Sequence, residues 1–322
     1  MDTGVKQTGF DGVSFANHNM HSEEYWEGIV DIERGDWIID FNQFETDTPS
    51  RHTGITCQEE LCKRVKGISY IFSCCKQLRL SRSVGLTAST LFHRFYLFES
   101  LSKLHYYEVG ATAVFVACKA EESRRNLKDV VKVCSKIALG KSDIDEESKV
   151  YWKWKDLLVR IEELLLHHLA FDVTPLNPYK ITMDALKIGQ EPMEKDAPNM
   201  EWDAKARTLF GHCTFLFEIM FKLPLCLFYP VEVLCALTTV LSAHKLKISF
   251  PVDYLQSSFH IDMNVILKCH DDLIFTASEI ETMDKYFRVL PHIPRISHID
   301  IKSVFSGQVE STLRDSLRDD DS

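Results

Sequence analysis

Residues 111–122 read Ala-Thr-Ala-Val-Phe-Val-Ala-Cys-Lys-Ala-Glu-Glu, an apolar run that ends in a cation and two acids. Lys119 is the residue there with the most chemistry to offer. Its plain reading is a lysine whose stem covers apolar surface and whose ammonium is favoured at a helix C-terminus by the dipole. Glu121 and Glu122 sit where the same dipole disfavours acids. Catalytic patterns are absent. The chain has no Gly-rich phosphate loop, no Gly-x-Ser-x-Gly and no His-Glu-x-x-His. His167 and His168 are adjacent. Neighbours on a helix point ~100° apart, so the pair cannot chelate one ion together. Asp271 and Asp272 suit an exposed helical face. The ten cysteines offer only two close pairs, Cys57/Cys62 and Cys74/Cys75, with no second Cys or His cluster at zinc spacing. They read as reduced thiols packed like small hydrophobes, and no metal or cofactor is expected.

The elements that position these residues are helical. Leu61, Val65, Ile68, Phe72 and Cys75 recur at steps of four and three, which makes one apolar stripe. Val84, Ala88, Leu91, Phe92, Phe95 and Phe98 make a second stripe over 84–98. A third helix over 107–121 is apolar on nearly every side until Lys119, which predicts a buried central helix. Asn126 is the expected N-cap of a fourth, with Asp129 as capping-box acid and Gly140 as its stop. After a polar stretch, a fifth helix carries Leu157, Leu158, Ile161, Leu165 and Leu169 until two prolines end it. So residues 55–175 read as five helices around the third.

The second half repeats this scheme loosely. Helices are expected over 201–221 and 229–246, with two or three shorter ones over 251–290. Tyr107 and Val109 correspond to Tyr229 and Val231 ahead of the next apolar run, a weak repeat. The apolar stretch 214–244 is interrupted by Glu218, Lys222, Pro224, Pro230 and Glu232, so two core helices are expected rather than a membrane span.

Of the 322 residues, 45% are hydrophobic and 26% charged, an ordinary globular balance. The net charge of −10 argues against non-specific nucleic-acid binding. The N-terminus lacks a basic region followed by an apolar core, so no secretory signal is expected. The charged tail, acidic at its end, is expected to be partly disordered.

Four motifs in order carry a family resemblance. They are "DWIIDFNQFETDTPSRHTGI" before the first helix, "LFHRFYLFESL" in the second, "ACKAEE" ending the third and "RIEELLLHHLAFDVTPLNPY" in the fifth. Together they resemble the cyclins, most closely the transcription-associated K and T types. The match covers roughly residues 35–180, and "FYPVEVLCALTTVLSA" extends it into the second half.

The resemblance implies an all-α fold of two consecutive five-helix cyclin boxes with an N-terminal extension. The expected boundaries are 1–54 for a partly ordered extension, 55–175 and 176–292 for the boxes, and 293–322 for the tail. It implies a non-enzymatic subunit that binds and activates a cyclin-dependent kinase acting on the RNA polymerase II C-terminal domain. The setting would be the nucleus, in transcription elongation.

Lys119 then matches the lysine that contacts the kinase, and Glu162 pairs with it. Glu122, Phe115 and Leu158 complete the expected kinase-binding set, although apolar residues at helical spacing are more often core. Glu121 reads as solvated or as leading into the next helix. His93, Arg94, Phe95 and Tyr96 are a structural signature, with Arg94 tying down the segment before the first helix. The resemblance also leaves room for a small third subunit beside the kinase, as in some fungal assemblies of this type. Neither nucleic acid nor membrane is an expected partner. The rival readings are a cyclin-fold module without a kinase and an enzyme on a helical scaffold.

Overall fold

The computed structural model describes residues 37–189, 200–250, 253–284 and 288–306, and every regular element among them is helical. Two short helices lead in, α1 (Phe41–Thr46) and α2 (Pro49–His52). Five follow: α3 (Cys57–Gln77), α4 (Arg82–Phe95), α5 (Tyr106–Ala120), α6 (Leu127–Leu139) and α7 (Lys149–His168).

Their ends are set by local chemistry. Thr56 and Glu59 form a reciprocal capping box at α3, and His105 with Glu108 does the same at α5. Ser81 and Ser148 cap α4 and α7 with their side chains. Gly140 stops α6 in the left-handed region at φ 60°. The capping box expected at Asn126 does not form. Asn126 holds the N-cap position without a side-chain bond, and the Asp129 and Val130 amides bond its carbonyl instead.

Helix α5 is the axis of this first unit. Every residue from 108 to 118 is buried, and α3, α4, α6 and α7 all pack on it. Close approach matters between α3 and α4. A Cβ on Gly67 would lie 2.3 Å from the Phe92 ring, so only glycine lets the two helices meet there.

The second unit comprises α8 (Pro178–Ala185), α9 (Met200–Met220), α10 (Val231–Leu246), α11 (Tyr254–Phe259), α12 (Met263–Met283) and α13 (His298–Ser306). Here α10 is the axis, buried from Val233 to Ala243 and touched by the other five helices. The apolar stretch 214–244 resolves into the end of α9, a 3₁₀ turn at Pro224–Leu227 and α10. No helix among the described residues is long and apolar enough to cross a membrane.

Two expectations need correction in this unit. The two or three short helices expected over 251–290 become one short helix and one of 21 residues, α12. Nothing breaks α12: Asp262 caps it, and its stripe of Ile266, Cys269, Leu273, Ala277 and Ile280 runs its whole length without Gly or Pro. The packed structure also passes the expected boundary at 292. Helix α13 buries Ile301, Val304 and Phe305 against α10, α11 and α12. The remainder of the expected tail, 307–322, lies outside the described residues, as does 1–36 of the expected extension.

The units are tied together at several points. Helix α12 packs on α3, with Lys66–Asp284 at 3.0 Å and Gln58–Glu279 at 2.6 Å. The Pro224–Leu227 turn packs on α4. Arg82 reaches Glu218 at 3.1 Å.

Candidate functional site

Lys119 emerges where the buried axis α5 reaches the surface. Its Nζ donates to Glu162 Oε1 at 2.6 Å and stands 4.1 Å from the centre of the Phe115 ring. The lysine side chain is 52% exposed and the glutamate 16%. Helix α5 supplies the cation and the aromatic face, four residues apart, and α7 supplies the acid. The ammonium uses one donor on Glu162, which leaves others for carbonyl oxygens of a partner. The expected Lys119–Glu162 pair is therefore formed within the free chain.

The two acids after Lys119 divide differently from the expectation. Glu121, given less weight, is half-buried and held against α4: Ser83 donates to Oε2 at 2.9 Å and Thr87 to Oε1 at 2.6 Å. Asn177 in turn donates to Ser83 at 2.8 Å. These hydroxyls from α4 offset the unfavourable dipole at the α5 C-cap. Glu122 is exposed, with φ +52°; its amide donates to the Lys119 carbonyl at 3.2 Å, and no hydrogen bond or ion pair holds its side chain among the described residues.

Phe115 is nearly buried at 7% exposure, and Leu158 is fully buried. Leu158 shares the inward stripe of α7 with Tyr151, Trp154, Ile161 and Leu165. Its expected place on a docking surface is thus corrected to the core: helical phase turns it away from solvent. The adjacent stripe points outward. Trp152 is 50% exposed and Val159 49%, with Lys155 lying 4.5 Å over the Trp152 ring. Trp152, Lys155, Val159 and Glu162 follow helical spacing, so this stripe runs directly into the Lys119–Glu162 pair. Sequence reasoning missed it. The available signal was a pair of large apolar residues seven apart but off the core stripe.

The His-Arg-Phe-Tyr signature is structural. Arg94 reaches Asp172 at 3.1 Å and lies 4.6 Å over the Trp37 ring, while Trp37 Nε1 donates to the same carboxylate oxygen at 2.6 Å. Three separate motifs, the tryptophan lead-in, α4 and the Phe-Asp after α7, meet on that carboxylate. Arg94 therefore ties down the lead-in as expected.

His93 is fully buried. Its Nδ1 lies 3.3 Å from Arg64 Nη1, which can only donate, so Nδ1 accepts. Nε2–H then donates to the Phe221 carbonyl of the second unit at 3.1 Å. Burial first, then the Arg64 charge, pushes the imidazole pKa down to about 3. Phe95 and Tyr96 are core residues, and the Tyr96 hydroxyl donates to the Leu104 carbonyl at 2.9 Å.

Behind the signature lies a buried ion pair the sequence did not announce. Arg64 meets Glu60 Oε1 through Nε at 2.8 Å and Nη2 at 2.7 Å, both side chains fully buried. Arg64 also donates to the carbonyls of His93 and Tyr96, while Thr48 and Arg51 bond the other Glu60 oxygen. Arg51 further holds the carbonyls of Glu45 and Ile55. The "PSR" turn is thereby anchored to α3.

Residues 38–174 match the family described as Cyclin, N-terminal domain. Over that stretch the chain is similar to cyclins. Among proteins similar to this chain is cyclin pch1 of Schizosaccharomyces pombe, 42% identical over 153 residues, which are 47% of this chain and 44% of that protein. Cyclin-T1-5 of Arabidopsis thaliana is 26% identical over 249 residues, 75% of this chain and 39% of the relative. The matched part is thus under half the length of either relative. A chain of the yeast RNA Pol II CTD kinase CTDK-1 complex superposes with TM-score 0.59 at 16% identity, covering 83% of this chain and 81% of that one. A chain of the yeast TFIIK (Kin28/Ccl1/Tfb3) complex gives TM-score 0.53 at 20% identity, covering 74% and 96%. At these identities the likeness is one of fold, and it extends over both helical units of the chain.

Proposed function

We propose that this chain is the regulatory subunit of a cyclin-dependent kinase that phosphorylates the RNA polymerase II C-terminal domain. The observation that carries the reading is the Lys119–Glu162 pair, seated over Phe115 where α5 surfaces and continued by the exposed Trp152–Val159 stripe of α7. Kinase catalysis needs a strand lysine and a helix glutamate paired near the ATP phosphates. Two rigid helices that bind the glutamate-bearing helix only in its inward position shift the kinase toward its active state. Lys119 donates to carbonyls at the end of that helix, Glu162 fixes the ammonium, and Glu122 lies close by in sequence to add an exposed carboxylate. Trp152 and Val159 supply the apolar contact.

The polymerase substrate, a nuclear setting and a role in elongation are supported by the kinds of protein this chain resembles, transcription-type cyclins and a CTD-kinase subunit. A third subunit has a parallel in the TFIIK complex, whose name lists three components.

The test is co-purification. Tagged wild-type chain should retain a cyclin-dependent kinase that phosphorylates polymerase C-terminal repeats, and the double variant Lys119→Ala/Glu162→Ala should lose it. A double variant that folds and retains the kinase as well as wild type does would refute the proposed dock.

A further inference from the structure

The second unit carries a basic groove that the kinase reading does not use. It lies between the C-terminal end of α10, the face of α9 around His212 and the segment 290–296 before α13. Lys245, Lys247 and Arg295 line it, with histidines 212, 244 and 292 among them. None of these three cations forms an ion pair among the described residues. The one carboxylate in the lining, Glu281, is already engaged by the Leu290 amide at 2.8 Å. Three cations against one carboxylate leave a local excess of positive charge in a chain of net charge −10.

Cations in the last turn of α10 suit that helix's dipole, which accounts for His244 and Lys245. It does not account for Arg295 and His292, which arrive from another segment, or for His212 on α9.

Two further observations point to a ligand. His270, also in the lining, is only 6% exposed; its Nδ1 stands 3.7 Å from the Asp271 carboxylate, and neither ring nitrogen has a hydrogen-bond partner among the described residues. A buried polar group in that state is costly unless something else satisfies it. The groove also has an apolar side. Phe215 is 45% exposed, meets the His292 ring edge-on at 6.1 Å, and is flanked by Ile274 and Leu290.

We infer that this groove docks a phosphorylated peptide segment, the phosphate held by Lys245, Lys247 and Arg295 and an adjacent apolar side chain resting on Phe215. A phosphate suits donors that converge from several elements, because it carries about −1.5 to −2 charge and three strong acceptor oxygens. A single-stranded nucleic acid fits less well. It needs successive aromatic platforms along a basic track, and this groove presents one exposed aromatic on an otherwise acidic chain.

The experiment is fluorescence anisotropy on the full chain with a short labelled peptide carrying phosphoserine beside an aromatic residue. The unphosphorylated peptide, a glutamate-substituted one and a single-stranded RNA of equal label run in parallel. The phosphopeptide should bind at least about tenfold more tightly than the unphosphorylated one, as expected when several charge-assisted bonds are gained. Lys245→Glu/Lys247→Glu should abolish that preference, and Lys119→Ala, on the other unit, should leave it intact. Circular dichroism confirms that the variants fold, and Arg295→Gln gives a milder second probe. Equal binding of both peptides, tighter binding of the RNA, or a phosphopeptide affinity untouched by the charge reversal would each overturn the inference. None of these outcomes depends on whether a kinase is bound.

Discussion

At the scale of single residues, exposure separates recognition from stability. Lys119 is half exposed and its ion pair is solvated, so it contributes little to folding. Lys119→Ala should leave the melting temperature within a degree or two while weakening kinase capture. A thermal melt beside the pull-down checks both halves. Arg64 is the opposite case. It is fully buried with Glu60, and removing it strips two donors from a buried carboxylate that keeps only Arg51 and Thr48. Arg64→Met should cost about 3–5 kcal/mol, read from the urea midpoint. Replacing both partners with apolar residues should cost less than either single change. Arg64 and Lys119 look equally prominent as letters; only burial tells which one folding depends on.

At the scale of elements, the ends of helices and their points of closest approach matter most. Glu121 closes α5 by accepting from Ser83 and Thr87 on α4. Glu121→Ala leaves those hydroxyls without their acceptor and should destabilise by about 1–3 kcal/mol. Because this loosens the end of α5 that presents Lys119, kinase capture should weaken as well; equilibrium unfolding and the pull-down measure the two effects. Gly67→Ala places a methyl against the Phe92 ring, within 2.3 Å of a carbon atom. That overpacking should cost about 1–3 kcal/mol as α3 and α4 are pushed apart, again visible in the urea midpoint.

At the scale of the whole molecule, His93 couples the two units and makes their joint stability depend on pH. It bonds Arg64 in the first unit and the Phe221 carbonyl in the second while remaining neutral. Its folded pKa of about 3 lies below the ordinary 6.5 of the unfolded chain. Between those values the unfolded state binds a proton that the folded state refuses. Stability is therefore fully present above the unfolded value and falls as pH drops toward the folded one, by about 1.4 kcal/mol per pH unit. Urea unfolding at pH 7.5 and pH 5 should show this slope, and His93→Gln should flatten it by about one proton. A slope identical in wild type and variant would mean that His93 does not titrate on unfolding.

The sequence by itself determined the helical class, the buried axis of the first unit and the location of the lysine that surfaces from it. Those features are periodic and local: an apolar run of helical length is buried whatever surrounds it, and Lys119 ends one such run. Motif order was enough to point to Glu162 as its partner, though 43 residues separate the two. Tertiary structure decided what depends on phase and on distant neighbours. It turned Leu158 inward and Trp152 outward, because one residue's shift on a helix rotates a side chain by ~100°. It gave Glu121 two hydroxyl partners from α4 while leaving Glu122 in solvent. It recruited α13 into the second core from a segment that read as tail. It also gathered Lys245, Lys247 and Arg295 into one groove, a placement no local pattern encodes because it arises where three chain segments converge.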